Sequence, residues 1–391
     1  MRPTRLLAVL LTLSATLVAT APAATAAVAT SPDSGSATTL DLPAPTGRLA
    51  VGVTDLHLTD PSRPDPWSPT PSVRELMVRA WYPAIAVTPR ARYSDDATSA
   101  TVAAFLNNFI GGGVSPFLDR VRPHARQNAP VFGAGWPVLL YSQGRGSMRT
   151  LSTTLAEDLA SHGYVVLSVD HTYDAGAVRF PDGRVIRGNR PQVPTEAERA
   201  EELRVRVADL RSTLNHVSTA ATQFRGRLDL SKVGALGHSM GGATAAEAIR
   251  TDPRFRAGVN LDGGFWDGAA NNGVPGPFLL LSTGAPDYPT FTAWKANHRA
   301  WGRHFALTGA AHYSATDLTQ FPDISGAREL LRDRPALYTT LFGDTPGVRT
   351  TEINRAYTRA FFQQHLYGVP NPLLDAPSPA YPEQTLRWSH S

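Results

Sequence analysis

The sequence GHSMG at residues 237–241 restricts the possible folds of this chain more than any other segment. It follows a short and mostly apolar segment, KVGAL at residues 232–236, and precedes a run of small residues typical of a closely packed helix. A serine on a sharp strand-to-helix turn presents its hydroxyl to a histidine, and glycines two positions away on each side prevent a clash. The segment therefore predicts a strand, a nucleophilic Ser239 and a helix. The alternative interpretation is a glycine-rich turn without catalysis.

The rest of the chain predicts an α/β fold with a mostly parallel central sheet and helices on both faces. Residues 49–58 and 74–82 alternate as strands do and predict an antiparallel opening hairpin. Short apolar strands then alternate with helices, the pattern of a parallel sheet with crossover helices. The predicted strands are 138–142, 164–170, 233–236, 257–261, 278–282 and 304–307, and the predicted helices are 150–162, 195–224, 241–250 and 350–366.

The N-terminal segment, residues 1–29, has the pattern of a secretory signal peptide. Arg2 and Arg5 precede an apolar run at 6–19 and then small residues. The run is short for a membrane span of about 20 residues, although an uncleaved anchor is the alternative. We expect a secreted protein in which residues 30–47 form a flexible leader and 48–391 a single catalytic domain.

Composition excludes several classes of site. The chain has no cysteine, so disulfides, thiol nucleophiles and a lipid-modified cysteine are excluded. The formal net charge of +4 is too small to indicate a nucleic-acid partner. The pair Asp95 and Asp96 is interpreted as solvated loop charge rather than a metal site. We therefore expect no metal, no cofactor and no transmembrane segment in the mature protein.

A histidine that could act as general base follows the last predicted strand. His312 lies there in a loop of small residues, TGAAHYS at 308–314. His304 lies within a strand pattern and His298 on a predicted helix, where packing roles are the simpler interpretation. His238 is expected to shape the turn, with its side chain pointing away from Ser239.

Two aspartates could orient that histidine. Asp262 follows the predicted strand 257–261, and Asp287 follows the strand 278–282. Both lie between Ser239 and His312 in the chain, the order Ser, Asp, His that this kind of site uses. Either strand end could supply a carboxylate that holds the imidazole tautomer. The residues alone leave the choice open.

Several segments resemble the plasma or secreted platelet-activating factor acetylhydrolase family of α/β-hydrolases. The segments are VGVTD at 51–55, YSQGRG at 141–146 and DLASHGY at 158–164, and the resemblance extends over about 51–388. It implies the α/β-hydrolase fold and a secreted bacterial esterase or lipase. In that family the acid follows the strand after the elbow helix, which here favours Asp262 over Asp287, and the histidine loop is matched by His312.

The same resemblance implies an oxyanion hole formed by backbone amides. Met240 supplies one N–H group, and Arg145 or its neighbour supplies the other. The family usually has His-Gly in this loop, whereas this chain has Gln143 and Gly144. The Gln143 side chain either tunes the loop or fills space.

The predicted reaction is hydrolysis of a carboxylic ester through an acyl-enzyme on Ser239. Resemblance implies a phospholipid with a short or oxidised acyl chain, whereas the residues alone support only a carboxylic ester. The apolar segment 101–122 could form an acyl-pocket wall or a lid, or could be insertion packing. Transient contact with a lipid surface is compatible with this composition.

Three other functions remain as alternatives. A secreted polyester or cutin hydrolase shares the elbow sequence and would use Asp287 as its acid. A serine peptidase is less favoured because no gating domain precedes the catalytic region. A non-catalytic binding protein on the same fold is disfavoured because Ser239, an aspartate and His312 occur in the required order.

Overall fold

The computed structural model describes residues 38–219, 222–266 and 268–391. The predicted signal peptide, 1–29, lies outside the described residues. The strands of the described part are β1 Leu40–Asp41, β2 Val51–Pro64, β3 Val73–Pro83, β4 Val121–Arg122, β5 Arg126–Gln127, β6 Trp136–Ser142, β7 Val165–Asp170, β8 Ala177–Arg179, β9 Val185–Arg187, β10 Leu228–His238, β11 Phe255–Leu261, β12 Phe278–Thr283, β13 Gly302–Leu307 and β14 Gln384–His390. The α-helices are α1 Asp96–Ile110, α2 Thr153–Ser161, α3 Glu196–Thr219, α4 Met240–Thr251, α5 Gly268–Asn272, α6 Pro289–Asn297, α7 Ala327–Leu330, α8 Pro335–Phe342 and α9 Gly347–Tyr367.

A ten-stranded sheet runs through the protein in the order β14-β13-β12-β11-β10-β6-β7-β3-β2-β5. The six strands from β13 to β7 are parallel to one another. The hairpin β2–β3 is antiparallel and joins the sheet through an antiparallel pairing of β3 with β7. Parallel strands gather their carboxyl ends at one edge, which is where open α/β sheets bind ligands.

Helices cover both faces because successive side chains of the central strands point in opposite directions. In β6, Val138 and Leu140 enter one core cluster, whereas Leu139 and Tyr141 enter another. Helices α3, α4 and α6 pack on the first face, and α2 and α9 pack on the second. A strand that is buried on both faces has a continuous run of apolar residues in its sequence. The predicted α/β-hydrolase architecture is confirmed.

Helix α1 lies outside these layers and helps form a third core cluster with α8. The Asp95 side chain caps its N-terminus by accepting a hydrogen bond from the Thr98 N–H at 3.0 Å. Asp96 pairs with Arg92 at 3.0 Å on the exposed side. The two carboxylates therefore have separate partners, and Asp95 has a structural role that its interpretation as solvated charge did not include.

The start of the described chain differs from the flexible leader expected at 30–47. Strand β1 pairs with β4, and the Thr46 hydroxyl and N–H donate to Asp158 Oδ1, each at 2.8 Å. The guanidinium of Arg355 donates to the carbonyl oxygens of Pro43 and Ala44, each at 2.9 Å. Residues 38–47 are thus held to the body by hydrogen bonds and by the buried Leu42 side chain, contacts that give no periodic sequence signal.

Candidate active site

The elbow serine lies between β10 and α4 in a strained backbone conformation. Ser239 has φ 55° and ψ −123°, a backbone conformation that residues other than glycine rarely adopt. Its N–H donates to the Leu261 carbonyl at 2.9 Å, which ties the turn to the end of β11. A Cβ atom on Gly241 would lie 1.9 Å from the Ser142 carbonyl oxygen, so glycine is required there for β6 and α4 to approach.

Asp262 follows β11 directly and contacts the histidine loop. Its carboxylate oxygen Oδ2 lies 2.7 Å from His312 Nδ1, and Oδ1 accepts the Thr283 N–H at 3.0 Å. The Asp262 side chain is 5% exposed and the His312 side chain 26%. Because a carboxylate only accepts, Nδ1 carries the proton and Nε2 of a neutral His312 is left as the acceptor. The structure thus brings Asp262 and His312 together beside the elbow.

The competing carboxylate, Asp287, has other partners. It accepts hydrogen bonds from Lys295 and, at 3.0 Å, from Arg387, and its Oδ1 lies 3.9 Å from His304 Nδ1. Burial raises the pKa of Asp287, but the Lys295 hydrogen bond and the neighbouring cations outweigh burial and hold this pKa below its usual value. Asp287 is therefore part of an ion-pair cluster on the β12–α6 connection and β14.

The other two candidate histidines are packed in the interior. His304 Nε2 shares a hydrogen bond of 2.8 Å with the Ser282 hydroxyl, and the His298 ring packs at 5.1 Å from the Trp294 ring. Both side chains have no exposed surface. Burial lowers the pKa of each, to about 3 for His304.

His238 contacts the histidine loop rather than pointing away from the site. Its Nε2 donates to the carbonyl oxygen of His312 at 2.8 Å, and the two ring centroids lie 4.6 Å apart. Burial first, and then the neighbouring His312, lowers the pKa of His238 well below its usual value. A neutral His238 therefore fixes the backbone of His312 by a donated hydrogen bond.

The loop after β6 passes close to Ser239, because a Cβ atom on Gly144 would lie 3.5 Å from Ser239 Cβ. The Gln143 amide nitrogen donates to the hydroxyls of Ser168 and Ser152, the latter at 3.1 Å. Gln143 is buried and anchors the loop to β7. Among the described residues, no protein acceptor takes the backbone N–H of Met240 or Arg145.

Two buried side chains that the sequence analysis missed hold this loop in place. The guanidinium of Arg206 donates to both Asp174 oxygens at 2.7 Å and to the carbonyl oxygens of Gln143 and Gly144 at 2.5 and 3.4 Å. Asp174 Oδ1 accepts the Gly146 N–H at 3.1 Å. Asp174 follows a predicted strand at its carboxyl end, which is the signal that could have identified it.

A second Ser-His-Asp arrangement lies beneath the same loop. Ser142 Oγ is 2.9 Å from His171 Nε2, and His171 Nδ1 is 2.9 Å from Asp209 Oδ2. The Arg74 guanidinium pairs with both Asp209 oxygens at 3.1 and 2.6 Å. All four side chains are buried, so this arrangement supports the loop and is closed to a substrate.

Comparison with known proteins assigns the family. The family model for platelet-activating factor acetylhydrolase, isoform II, matches residues 35–181 and 195–326. A probable 1-alkyl-2-acetylglycerophosphocholine esterase of Arthroderma benhamiae is 32% identical over 369 residues, 88% of this chain and 92% of that protein. The chain belongs to the platelet-activating factor acetylhydrolase family. It is accordingly an ester hydrolase.

Two further proteins are similar to this chain. The platelet-activating factor acetylhydrolase of Cavia porcellus is 30% identical over 182 residues, covering 40% of this chain and 42% of that protein. The solved ferulic acid esterase of Streptomyces cinnamoneus is 35% identical, with a TM-score of 0.79 over 89% of this chain and 99% of that one. The names of these similar esterases therefore refer to different acyl groups, acetyl and feruloyl.

A cavity of about 420 Å³ adjoins the site in this family member. One wall is the face of α1 that carries Thr101, Phe105 and Asn108 at helical spacing. The loop after β6 and Tyr313 form the neighbouring walls, and the Phe105 and Tyr313 rings lie 5.2 Å apart. Part of the segment 101–122 thus forms a pocket wall, as one of its sequence interpretations expected.

Within 38–219, 222–266 and 268–391, no three His, Cys, Asp or Glu side chains come together in a group that could hold a metal ion. No helix in the same part of the chain is both long and apolar enough to cross a membrane.

Proposed function

We propose that the protein is a secreted serine carboxylesterase in which Ser239 is the nucleophile, His312 the general base and Asp262 the orienting acid. The 2.7 Å contact between Asp262 Oδ2 and His312 Nδ1 beside the elbow is the observation that carries this assignment. The separate ion pairs of Asp287 support the same choice.

In the proposed mechanism His312 Nε2 takes the Ser239 proton as the hydroxyl oxygen attacks the ester carbonyl. The backbone N–H groups of Met240 and Arg145 stabilise the negative charge that develops on the carbonyl oxygen. Protonated His312 then gives its proton to the leaving alkoxide, and an acyl-enzyme remains on Ser239. Water, deprotonated by His312, hydrolyses that acyl-enzyme. Every step uses the chain's own groups.

For the substrate we propose esters of short acyl chains, including phospholipids with a short acyl group. The full-length relation to a probable 1-alkyl-2-acetylglycerophosphocholine esterase supports this class. A second candidate is an aromatic acyl ester, supported by the identity to a ferulic acid esterase and by the aromatic pair Phe105 and Tyr313 beside the cavity. A polyester hydrolase with Asp287 as its acid has no such support, because Asp287 is ion-paired elsewhere.

An ester series tests the substrate class. We would measure kcat/KM for p-nitrophenyl esters from acetate to palmitate and for methyl ferulate, with Ser239→Ala as the control for background hydrolysis. We expect the highest kcat/KM among the short acyl esters. A preference for ferulate would favour the second candidate. Absence of any activity that Ser239→Ala abolishes would contradict the proposed function and favour a binding protein.

The proposed export depends on residues 1–29, whose composition is that of a signal peptide. We would express the full chain in a secreting host and determine the N-terminal sequence of the protein in the medium. A mature protein beginning near Thr30 is expected. Retention of the uncleaved chain in the membrane fraction would instead favour an N-terminal anchor.

A further inference from the structure

The cavity beside the site combines apolar and cationic surfaces. Its inner lining includes Val102, Leu151 and Leu318, all buried side chains. Arginines also line it, at positions 145, 187 and 190, against a single carboxylate, Asp174. Its volume of about 420 Å³ suits a small organic ligand.

The existing ion pairs leave positive charge at this cavity. Glu202 is shared by two of the guanidinium groups, since it pairs with Arg145 at 2.8 Å and with Arg190 at 3.4 Å. Asp174 is neutralised by Arg206, which pairs with it at 2.7 Å. Glu202 and Asp174 are therefore already occupied by cations.

Arg187 is different because no described carboxylate lies within ion-pair distance of it. It is the last residue of β9, in register with Ala177 of β8, and it lines the cavity while being exposed to solvent. Arg179 lies on the same face of this hairpin, since it is two positions from Ala177, but it does not line the cavity.

We propose that Arg187 binds an anionic group, a carboxylate or a phosphate, on the part of the ester that occupies this cavity. A guanidinium matches both groups with two parallel N–H···O bonds. The apolar lining would contact the carbon chain between the ester and that group. The inference rests on the proposed ester hydrolysis and defines its substrates as esters with a charged end.

Matched pairs of esters test the assignment and identify the charged side. Mono-p-nitrophenyl glutarate against p-nitrophenyl valerate adds a carboxylate to the acyl group, and 4-acetoxyphenyl phosphate against phenyl acetate adds a phosphate to the leaving alcohol. We would determine kcat and KM for the wild type, Arg187→Met and Arg187→Lys, with Arg179→Met as the matched control.

We expect Arg187→Met to raise KM for one anionic ester by about tenfold, because the contact is made equally in the ground and transition states. The KM for the matched neutral ester, and kcat for both esters, should change by less than about twofold. Arg187→Lys should recover part of the lost affinity for the anionic ester. The responding pair shows whether acyl group or alcohol enters the cavity. Equal effects on neutral and anionic esters, equal effects of Arg179→Met, or no effect on either pair would overturn the proposal.

A binding measurement separates this inference from the proposed function. Calorimetric titration of phenyl phosphate and of monomethyl glutarate into the Ser239→Ala protein requires no catalysis. Binding of one of them that Arg187→Met weakens and Arg179→Met preserves is expected, even if the ester assays fail. Equal binding by both arginine variants would overturn the role of Arg187.

Discussion

At the scale of single residues, the backbone conformation of Ser239 determines the geometry of the strand-to-helix turn and lowers the stability of the folded chain. A non-glycine residue at φ 55° and ψ −123° is destabilised by about 1–3 kcal/mol, which the surrounding strand and helix must offset. The strain projects the hydroxyl from the turn, so the backbone conformation that exposes the proposed nucleophile also makes the folded chain less stable.

Replacing Ser239 with glycine should therefore remove activity and increase stability. We expect the free energy of unfolding of Ser239→Gly to be about 1 kcal/mol higher than that of Ser239→Ala, because glycine adopts this conformation without strain. The greater entropy of glycine in the unfolded chain offsets part of this gain. Urea unfolding of both inactive variants measures the difference. A less stable Ser239→Gly would show that the turn is unstrained.

His238 should position His312 without touching the substrate. Removing its hydrogen bond to the His312 carbonyl in His238→Ala should lower kcat by about tenfold and leave KM within about twofold. His238→Gln can donate from a similar position and should recover part of kcat. A change in KM alone, or no difference between alanine and glutamine, would contradict this role.

At the scale of elements, α3 holds the loop after β6, which we propose as the oxyanion loop, through Arg206, and Asp174 binds both Arg206 and that loop. Arg206→Met should lower kcat by about 10- to 100-fold with little change in KM, because the loop donors act on charge that develops in the transition state. Arg206→Lys should retain more activity. Urea unfolding must accompany the kinetics, because Asp174 loses its buried partner.

The matched control is Arg211→Met on the same helix. Arg211 is partly exposed and pairs with Asp252 at 3.5 Å, away from the loop. Its replacement should leave kcat unchanged. If Arg206→Met and Arg211→Met lost activity equally, the cause would be a general disturbance of the helix and not the lost contacts between Arg206 and the loop.

The elements that the sequence predicted are those with a strong periodic or apolar signal. The buried strands β6 and β7 and helix α9 lie within a few residues of their predicted bounds. Helix α3 is described as far as Thr219, and residues 222–224 of the predicted helix lie in a bend and turn. Helix α1, the β8–β9 hairpin and edge strand β14 were not predicted as elements, because short or half-exposed segments that depend on tertiary packing carry a weak pattern.

At the scale of the whole molecule, two buried carboxyl groups couple stability to pH. Burial raises the pKa of Glu157 to about 7 and that of Asp317 to about 6. Both values exceed those of the unfolded chain, near 4, so the folded state binds more protons between about pH 4 and pH 7. The contribution of these groups is therefore fully present below about pH 4 and is lost as the pH rises.

Glu157→Gln should flatten that dependence. The amide keeps an acceptor for the backbone N–H groups of His124 and Ala125 but does not titrate. We expect the fall in unfolding free energy between pH 4 and pH 7 to shrink by on the order of 2 kcal/mol, measured by urea unfolding. Glu352→Gln, at an exposed position, is the control. An unchanged slope would show that Glu157 is charged in the folded protein at pH 4.

The residues of the candidate site likewise divide into those with a local sequence signal and those without one. Ser239 and His312 have local signals, namely the elbow and a small-residue loop after a strand, so the sequence could nominate them. The acid could not be chosen from residues, because Asp262 and Asp287 both follow strands and differ only in the partners that folding gives them. Arg187 and Arg206 depend on contacts between distant elements and carry no local signature.

The most direct test of the proposed catalytic arrangement compares Asp262→Asn with Asp287→Asn in hydrolysis of p-nitrophenyl acetate. Asparagine keeps the size of each side chain but cannot hold the His312 tautomer in the same way. We expect Asp262→Asn to lower kcat by about 10³- to 10⁴-fold and Asp287→Asn to leave it within about threefold. A crippled Asp287→Asn together with an active Asp262→Asn would contradict the account.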